Sequence, residues 1–263
     1  MKLHLPESYH INYPNSNLDY YSGNNSRVIR DILFSASSGY CMYCGTSLVS
    51  DDKVNFQLEH SVDKEGNYNQ TSKNSMLKNC KFNLSAACSR CNMIYKKRIE
   101  KVNFEEYELV EVCPEECDNM CKPYIQMRNN YCKNNAIILQ PFGYSCDDVS
   151  YGVSYNLLRH TYEPMCECGT DKDTLFVMHH IMRFALNREN FSKNVVDICV
   201  ELCELYDAGI VNTQFLFEFE KMRRPSNMIG VLFLRFLEDK FREKKINDLM
   251  EFCSMLVVLS VVV

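Results

Sequence analysis

The sequence predicts an α+β fold in which a small module containing two cysteine pairs is followed by a mainly α-helical C-terminal region. Two Cys-x-x-Cys pairs, Cys41–Cys44 and Cys88–Cys91, enclose a stretch whose apolar residues alternate as in a strand. After residue 171 the apolar residues recur at helical spacing instead. The expected order is a leader (1–24), the module (25–105), an irregular connector (106–170) and a helical region (171–263).

Within the module, apolar side chains at positions 28, 29, 32 and 33 favour a helix over 26–34. Val54, Phe56 and Leu58 alternate with polar residues and predict a strand over 54–60, which ends at Glu59 and His60. The polar stretch 61–81 is expected to be a loop, and a helix is expected over 86–99. The connector is expected to hold only loops and short strands.

The helical region is expected to contain helices over 174–186, about 190–206, 213–224, 227–244 and 246–258. Asp173, Asn190 or Ser192, and Ser226 precede them and are residue types that cap helices. The apolar end, 255–263, is far shorter than the ~20 residues that cross a bilayer. We expect this end to be buried, either within the protein or against a partner.

The first residues and the cysteine content indicate the cellular compartment in which the protein is expected. Residues 1–15 lack the basic start and apolar run of a signal peptide, so a cytoplasmic protein without a membrane segment is expected. In that compartment, 15 cysteines indicate metal binding or buried thiols rather than a disulfide framework.

The net charge of −5 argues mildly against a nucleic-acid-binding protein, but the charge is unevenly distributed. Between 71 and 101 the only acidic residue is Glu100. The basic residues of that segment are Lys73, Lys78, Lys81, Arg90, Lys96, Lys97, Arg98 and Lys101. Phosphate contact would therefore be local.

The two cysteine pairs predict a structural zinc site, because each pair can present two thiolates to one ion and two pairs complete a tetrahedron. The ligands would be Cys41, Cys44, Cys88 and Cys91. Gly45 suits the tight turn that follows the first pair. The alternative is that the four residues are buried free thiols.

The residues between the two cysteine pairs and directly after the second pair are suited to phosphodiester hydrolysis. His60 is the only histidine between His10 and His160, so it is the imidazole available as a general base. Glu59 and Asn92 offer oxygen ligands to Mg²⁺ or Mn²⁺. The remaining predicted contacts, with the phosphate backbone, are made by Lys96, Lys97, Arg98 and Lys101 on the predicted helix.

This arrangement resembles the HNH, or ββα-metal, endonuclease family. The resemblance covers 38–98 and rests on Glu59-His60, on Asn83-Leu84 and on Asn92 directly after the second cysteine pair. It implies a zinc-stapled module of two strands and a helix, a catalytic Mg²⁺ or Mn²⁺, and an Asn83 that orients the His60 imidazole. The sequence departs from the family where Ser61-Val62-Asp63-Lys64 replaces the usual proline, and where Asn92 stands in place of histidine.

A small HNH module with an acidic, helical extension resembles the effector nucleases of phage-defence systems, such as the PtuB-like nucleases of Septu and retron systems. That resemblance implies an ATPase partner docked on the helical region and a nucleic-acid substrate, with DNA favoured over RNA. Two alternatives remain open. One is a non-catalytic, zinc-stapled module that binds DNA or protein, and the other is a sequence-specific homing or restriction enzyme.

Other cysteines and histidines form weaker patterns. Cys113, Cys117, Cys121 and Cys132 could form a second metal site, or they could be unrelated thiols. Cys166, Cys168, His179 and His180 could also be assembled into a site. For the two histidines, a place on a helix surface or in a core is the simpler interpretation.

Overall fold

A computed structural model of the chain describes residues 1–16, 18–21, 23–63, 77–96, 103, 106–107, 116–146, 149–167, 169–210, 219 and 224–262. Its helices are α1 Ser26–Ala36, α2 Lys122–Asn135, α3 Asp171–Arg183, α4 Glu189–Ser192, α5 Asn194–Asp207, α6 Met228–Phe241 and α7 Ile246–Val262. Its strands are β1 Lys2–His4, β2 Val49–Ser50, β3 Lys53–Val54, β4 Gln57–His60, β5 Leu84–Ala87, β6 Ser145–Cys146, β7 Val149–Asn156 and β8 Thr161–Glu167. The predicted α+β class is confirmed.

The larger sheet is antiparallel and centres on β7. Strand β8 pairs along the length of β7 on one side, while β1 and β6 pair with it on the other. The expectation of a loose leader is therefore wrong at its start, where Leu3 and Leu5 are buried. Pairing between β1 and β7 joins residues more than 150 positions apart, and no local pattern in the leader reports it.

The connector is also more regular than expected. Helix α2 lies in its first half, and the β7–β8 hairpin fills most of its second half. Helix α2 is rich in Asn and Lys, and its buried stripe of Tyr124, Met127, Tyr131 and Cys132 is narrow. A stripe of that kind gives a weak helical signal against a polar background.

The smaller hairpin pairs β4 with β5, so that Glu59 lies opposite Ser85 and His60 lies opposite Leu84. The predicted strand over 54–60 is present but broken, because β3 ends at Val54 and β4 begins at Gln57. The helix expected from residue 86 is wrong at its start. Ala86 and Ala87 belong to β5, and a π-helical turn, Cys91–Tyr95, follows instead. Pairing with β4 and full burial override the helix propensity of alanine.

The helices of the C-terminal region occur in the predicted order, but the N-cap residues of α3 and α6 differ from those predicted. Thr170, not Asp173, is the N-cap of α3, and Asp173 completes the capping box by accepting from the Thr170 backbone N–H at 2.7 Å. Asn227, not Ser226, caps α6 by accepting from the Gly230 N–H at 3.1 Å. Most of the helix predicted over 213–224 lies outside the described residues.

One cluster of buried apolar side chains includes residues from the leader, the module, the connector and the helical region. The end of α7 departs from this core, because Val261 is 85% and Val262 77% exposed. Among the described residues, no helix combines the length and the apolar character needed to cross a membrane.

Candidate metal centre and active site

The four cysteines of the two pairs meet at the base of the β4–β5 hairpin. The sulfur atoms of Cys41, Cys44, Cys88 and Cys91 all lie within 4.8 Å of one another. The Cys44 and Cys88 sulfurs are 3.8 Å apart. Four sulfurs bound at ~2.3 Å to one tetrahedral zinc are ~3.8 Å apart, so this spacing fits a zinc ion. The four residues could therefore bind a metal such as zinc, as the sequence predicts.

The environment of these sulfurs is mostly dry. Three of the four cysteines are buried, and Cys88 is half-buried. Burial raises the pKa of the Cys41 thiol, whereas hydrogen bonds from the neighbouring thiols lower the pKa of Cys88. A thiolate is already favoured within the cluster, and thiolates are the form that binds zinc.

The π-helical turn packs against one face of β4 through two matched contacts. The Asn92 side-chain amide donates to Gln57 Oε1 at 2.6 Å. The Lys96 ammonium donates to Glu59 Oε1, also at 2.6 Å. Gln57 and Glu59 are two residues apart on a strand and share a face, as do Asn92 and Lys96 at successive turns of the helical segment. Glu59 and Asn92 are thereby brought to the same side of the hairpin.

Lys96 is an interior residue. Its side chain is 4% exposed, and its ammonium also donates to the His60 carbonyl at 2.7 Å. Burial is the largest single effect and opposes the charged form, but the Glu59 carboxylate together with Tyr43 and Tyr131 outweighs it, and the pKa of Lys96 is raised well above its usual value. This placement corrects the expectation that Lys96 contacts the phosphate backbone. The other residues expected to do so, Lys97, Arg98 and Lys101, lie outside the described residues.

His60 lies on the opposite face of β4 from Glu59, because side chains alternate along a strand. His60 is 5% exposed, and the Tyr21 ring packs over its imidazole with 4.3 Å between ring centroids. The His60 Nε2 lies 3.1 Å from the Lys78 carbonyl oxygen. A carbonyl only accepts, so Nε2 carries a proton and donates it to this oxygen.

Asn83 is fully buried and makes four hydrogen bonds. Its Oδ1 accepts from the Val62 N–H at 2.8 Å and from the Tyr124 hydroxyl at 3.1 Å. Its Nδ2 donates to the carbonyls of Val62 and Leu77, each at 3.0 Å. Since these contacts use the whole capacity of the amide, Asn83 does not orient the imidazole directly. The expected role is corrected: Asn83 holds the backbone next to Lys78, and Lys78 contacts the ring.

The remaining cysteines and histidines form no second metal cluster within the described part of the chain, which contains Cys117, Cys121 and Cys132 but not Cys113. Cys168 also lies outside it. His180 is buried, and its Nδ1 accepts from the Ile138 N–H at 3.1 Å. Burial lowers the pKa of His180 to about 3, so the ring is neutral and structural.

Three residues at the site were missed by reasoning from sequence. Tyr21 covers His60, the Lys78 carbonyl fixes its tautomer, and Gln57 holds Asn92. Only Gln57 has a local signal, because it stands two positions before Glu59 on the predicted strand.

Comparisons with known protein families, with curated proteins and with solved structures find no match to this chain.

Proposed function

We propose that the protein is a metal-dependent HNH-type endonuclease that hydrolyses phosphodiester bonds of nucleic acid. The observation that supports this most strongly is the order of parts around the cysteine cluster. Two antiparallel strands lead into a helical turn, with Glu59 and His60 at the end of the first strand and Asn92 in the turn. This is the order that the family resemblance implies. In this proposal the cysteines are structural, because four thiolates leave zinc no open position.

The proposed general base is His60. With Nε2–H donated to the Lys78 carbonyl, Nδ1 is the nitrogen that takes the proton from the attacking water. Asn83 acts as a positioning residue, since it fixes the backbone on both sides of this contact, at Val62 and at Leu77. The tautomer is thus set by backbone atoms rather than by a second side chain.

The proposed ligands of the catalytic cation are Glu59 and Asn92. Lys96 holds Glu59 Oε1, and Gln57 accepts from the Asn92 amide nitrogen, so Glu59 Oε2 and Asn92 Oδ1 are the oxygens available to a hard cation. Bound Mg²⁺ or Mn²⁺ would supply charge stabilisation at the scissile phosphate. The Lys96 ammonium would hold the Glu59 side chain in place before the cation arrives.

We further propose that the nuclease works with a partner protein, an ATPase by the family resemblance, docked on the helical region. The exposed apolar end of α7, at Val258, Val261 and Val262, is consistent with such a contact. Gel filtration of the purified chain, followed by cleavage assays on each fraction, tests the dependence. A monomer that cuts at full rate alone would contradict it.

The experiment that tests the nuclease proposal is cleavage of plasmid and of single-stranded nucleic acid with and without added Mg²⁺ or Mn²⁺. Wild type should cut only with the cation, and His60→Ala should lose at least ~100-fold, within the range that general bases contribute. His10→Ala, which changes an exposed histidine in the leader, is the matched control and should cut as wild type does.

The second candidate is a non-catalytic, zinc-stapled binding module. Two observations favour it: Tyr21 covers the imidazole, and Lys96 already neutralises Glu59. A binding module would bind nucleic acid equally well in wild type and in His60→Ala, and neither protein would cut with any cation or partner.

A further inference from the structure

A cleft of 640 Å³ lies between the π-helical turn and the C-terminal end of α3. Ile94 and Tyr95 line it from the turn, and His179, Met182 and Arg183 line it from the helix. Since Asn92 belongs to the same turn, the cleft lies beside the proposed active site. Three residues of chain span at most ~11 Å, which limits the distance between the backbones of Asn92 and Tyr95.

A buried aromatic cluster connects the two sides of the cleft. Phe184, directly after Arg183, is fully buried between two tyrosine rings. It stacks on Tyr43 of the first cysteine pair at 5.7 Å and meets the edge of Tyr95 at 6.2 Å between centroids. These contacts tie the backbone on both sides of the cleft to the core around the cysteine cluster.

The chemistry of the lining combines flat apolar surface with positive charge. Ile94 is 60% and Met182 69% exposed, which is unusual for large apolar side chains without a ligand. Arg183 is always cationic, and none of the described lining residues is a carboxylate. Aromatic, apolar and guanidinium groups side by side suit a planar base joined to a phosphate.

We propose that this cleft binds an unpaired nucleotide of the nucleic-acid substrate, next to the bond that is cut. Tyr95, Ile94 and Met182 contact the base, while Arg183 and His179 contact the phosphate. The inference rests on the proposed function and makes it more specific, because a cleft that receives a splayed base selects single-stranded or locally unpaired nucleic acid. A duplex keeps its bases stacked and cannot offer one without paying for its extrusion.

The test measures binding rather than cutting, so that it is independent of the nuclease activity. Fluorescence anisotropy without added divalent cation would give the Kd of a labelled single-stranded oligonucleotide and of its duplex. Arg183→Gln and Met182→Ala are the test variants. Arg159→Gln, at a side chain 71% exposed outside the cleft, is the control for charge. Leu175→Ala, two turns earlier on α3 and 56% exposed, is the control for apolar surface.

Single strand should bind more tightly than duplex, and each test variant should raise the Kd for single strand ~10-fold, within the range measured for single base or phosphate contacts. The dependence of log Kd on log salt should become shallower by ~0.7 in Arg183→Gln and stay unchanged in Met182→Ala. Both controls should bind as wild type does.

Tighter binding of duplex, or test variants indistinguishable from their controls, would overturn the inference. Loss of binding in both test variants would support the cleft even if His60→Ala proved to cut normally. In that case the nuclease mechanism would fail while the cleft remained.

Discussion

The cysteine cluster and the Glu59–His60 centre lie on the same hairpin but are organised differently. The four sulfurs face one another within 4.8 Å, as a metal site requires. The catalytic candidates are instead engaged by protein groups: Glu59 by Lys96, His60 by the Lys78 carbonyl and Tyr21, and Asn92 by Gln57. The four sulfurs are therefore already placed for a metal ion. The side chains of Glu59, His60 and Asn92, by contrast, are held by neighbouring protein groups.

The largest effect should follow loss of the cysteine cluster. Cys91→Ser should abolish zinc binding by the four-cysteine cluster and unfold the module, because structural zinc contributes on the order of 10 kcal/mol to folding in zinc-finger peptides. We expect less than ~0.2 zinc per chain by elemental analysis and loss of cooperative melting. Cys121→Ser, at an exposed cysteine outside the cluster, is the control. Full zinc content in Cys91→Ser would show that the cluster is not the metal site.

A smaller but still large effect should follow removal of Lys96. Lys96→Met removes the buried ammonium and leaves the Glu59 carboxylate, whose side chain is 13% exposed, without its ion-pair partner, which should lower the free energy of unfolding by roughly 3–5 kcal/mol in urea titrations. The matched control is Lys193→Met, which breaks the Lys193–Glu189 ion pair of similar length at exposed positions. It should cost less than about 1 kcal/mol. Equal losses in the two variants would mean that the Lys96–Glu59 pair is solvated in solution.

The free energy of unfolding should fall in acid because His180 is buried as a neutral ring. Burial lowers the pKa of His180 from 6.5 to about 3 in the folded chain. Above pH 6.5 the ring is neutral in both states, so His180 adds no pH dependence. As pH falls below 6.5 the unfolded chain takes up the proton first, and stability is lost at up to ~1.4 kcal/mol per pH unit.

Between pH 6.5 and 5, this contribution amounts to ~2 kcal/mol. His180→Gln, which retains an acceptor for the Ile138 N–H, should show a shallower fall of unfolding free energy over that range. A slope identical to that of wild type would place the acid sensitivity elsewhere.

Removal of the Tyr21 ring should have the smallest effect on stability. It tests most specifically whether this ring covers His60. Tyr21→Ala uncovers His60, so modification of His60 by diethylpyrocarbonate, followed by peptide mass spectrometry, should speed up ~10-fold, which corresponds to ~1.4 kcal/mol of protection. Tyr21→Phe keeps the ring and should react as wild type does. If His60 reacts equally fast in all three proteins, Tyr21 does not cover it in solution.

The two regions also differ in how far sequence could predict them. The cysteine pairs are local patterns, and their spacing alone predicted that these four sulfurs lie together. The contact between Lys96 and Glu59 joins residues 37 positions apart, and the contact between Tyr21 and His60 depends on how the leader folds back. Charge counting identified Lys96 as basic but could not show that it is buried.

The same limit explains the error at Ala86 and Ala87, where the alanines favour a helix and strand pairing decides otherwise. Reasoning from sequence singled out Asn83 as a site residue but did not predict its hydrogen-bond partners. An amide has four hydrogen-bonding positions, and the tertiary structure determines which groups fill them.

The most direct test of the central claim is chemical rescue of His60→Gly in the cleavage assay with Mg²⁺ or Mn²⁺. If His60 is the general base, the variant should be inactive with its zinc retained, and free imidazole should restore part of the rate by entering the space beneath Tyr21. His10→Gly should cut normally and should not respond to imidazole. Cleavage by His60→Gly at the wild-type rate without imidazole would contradict the assignment of His60 as the base.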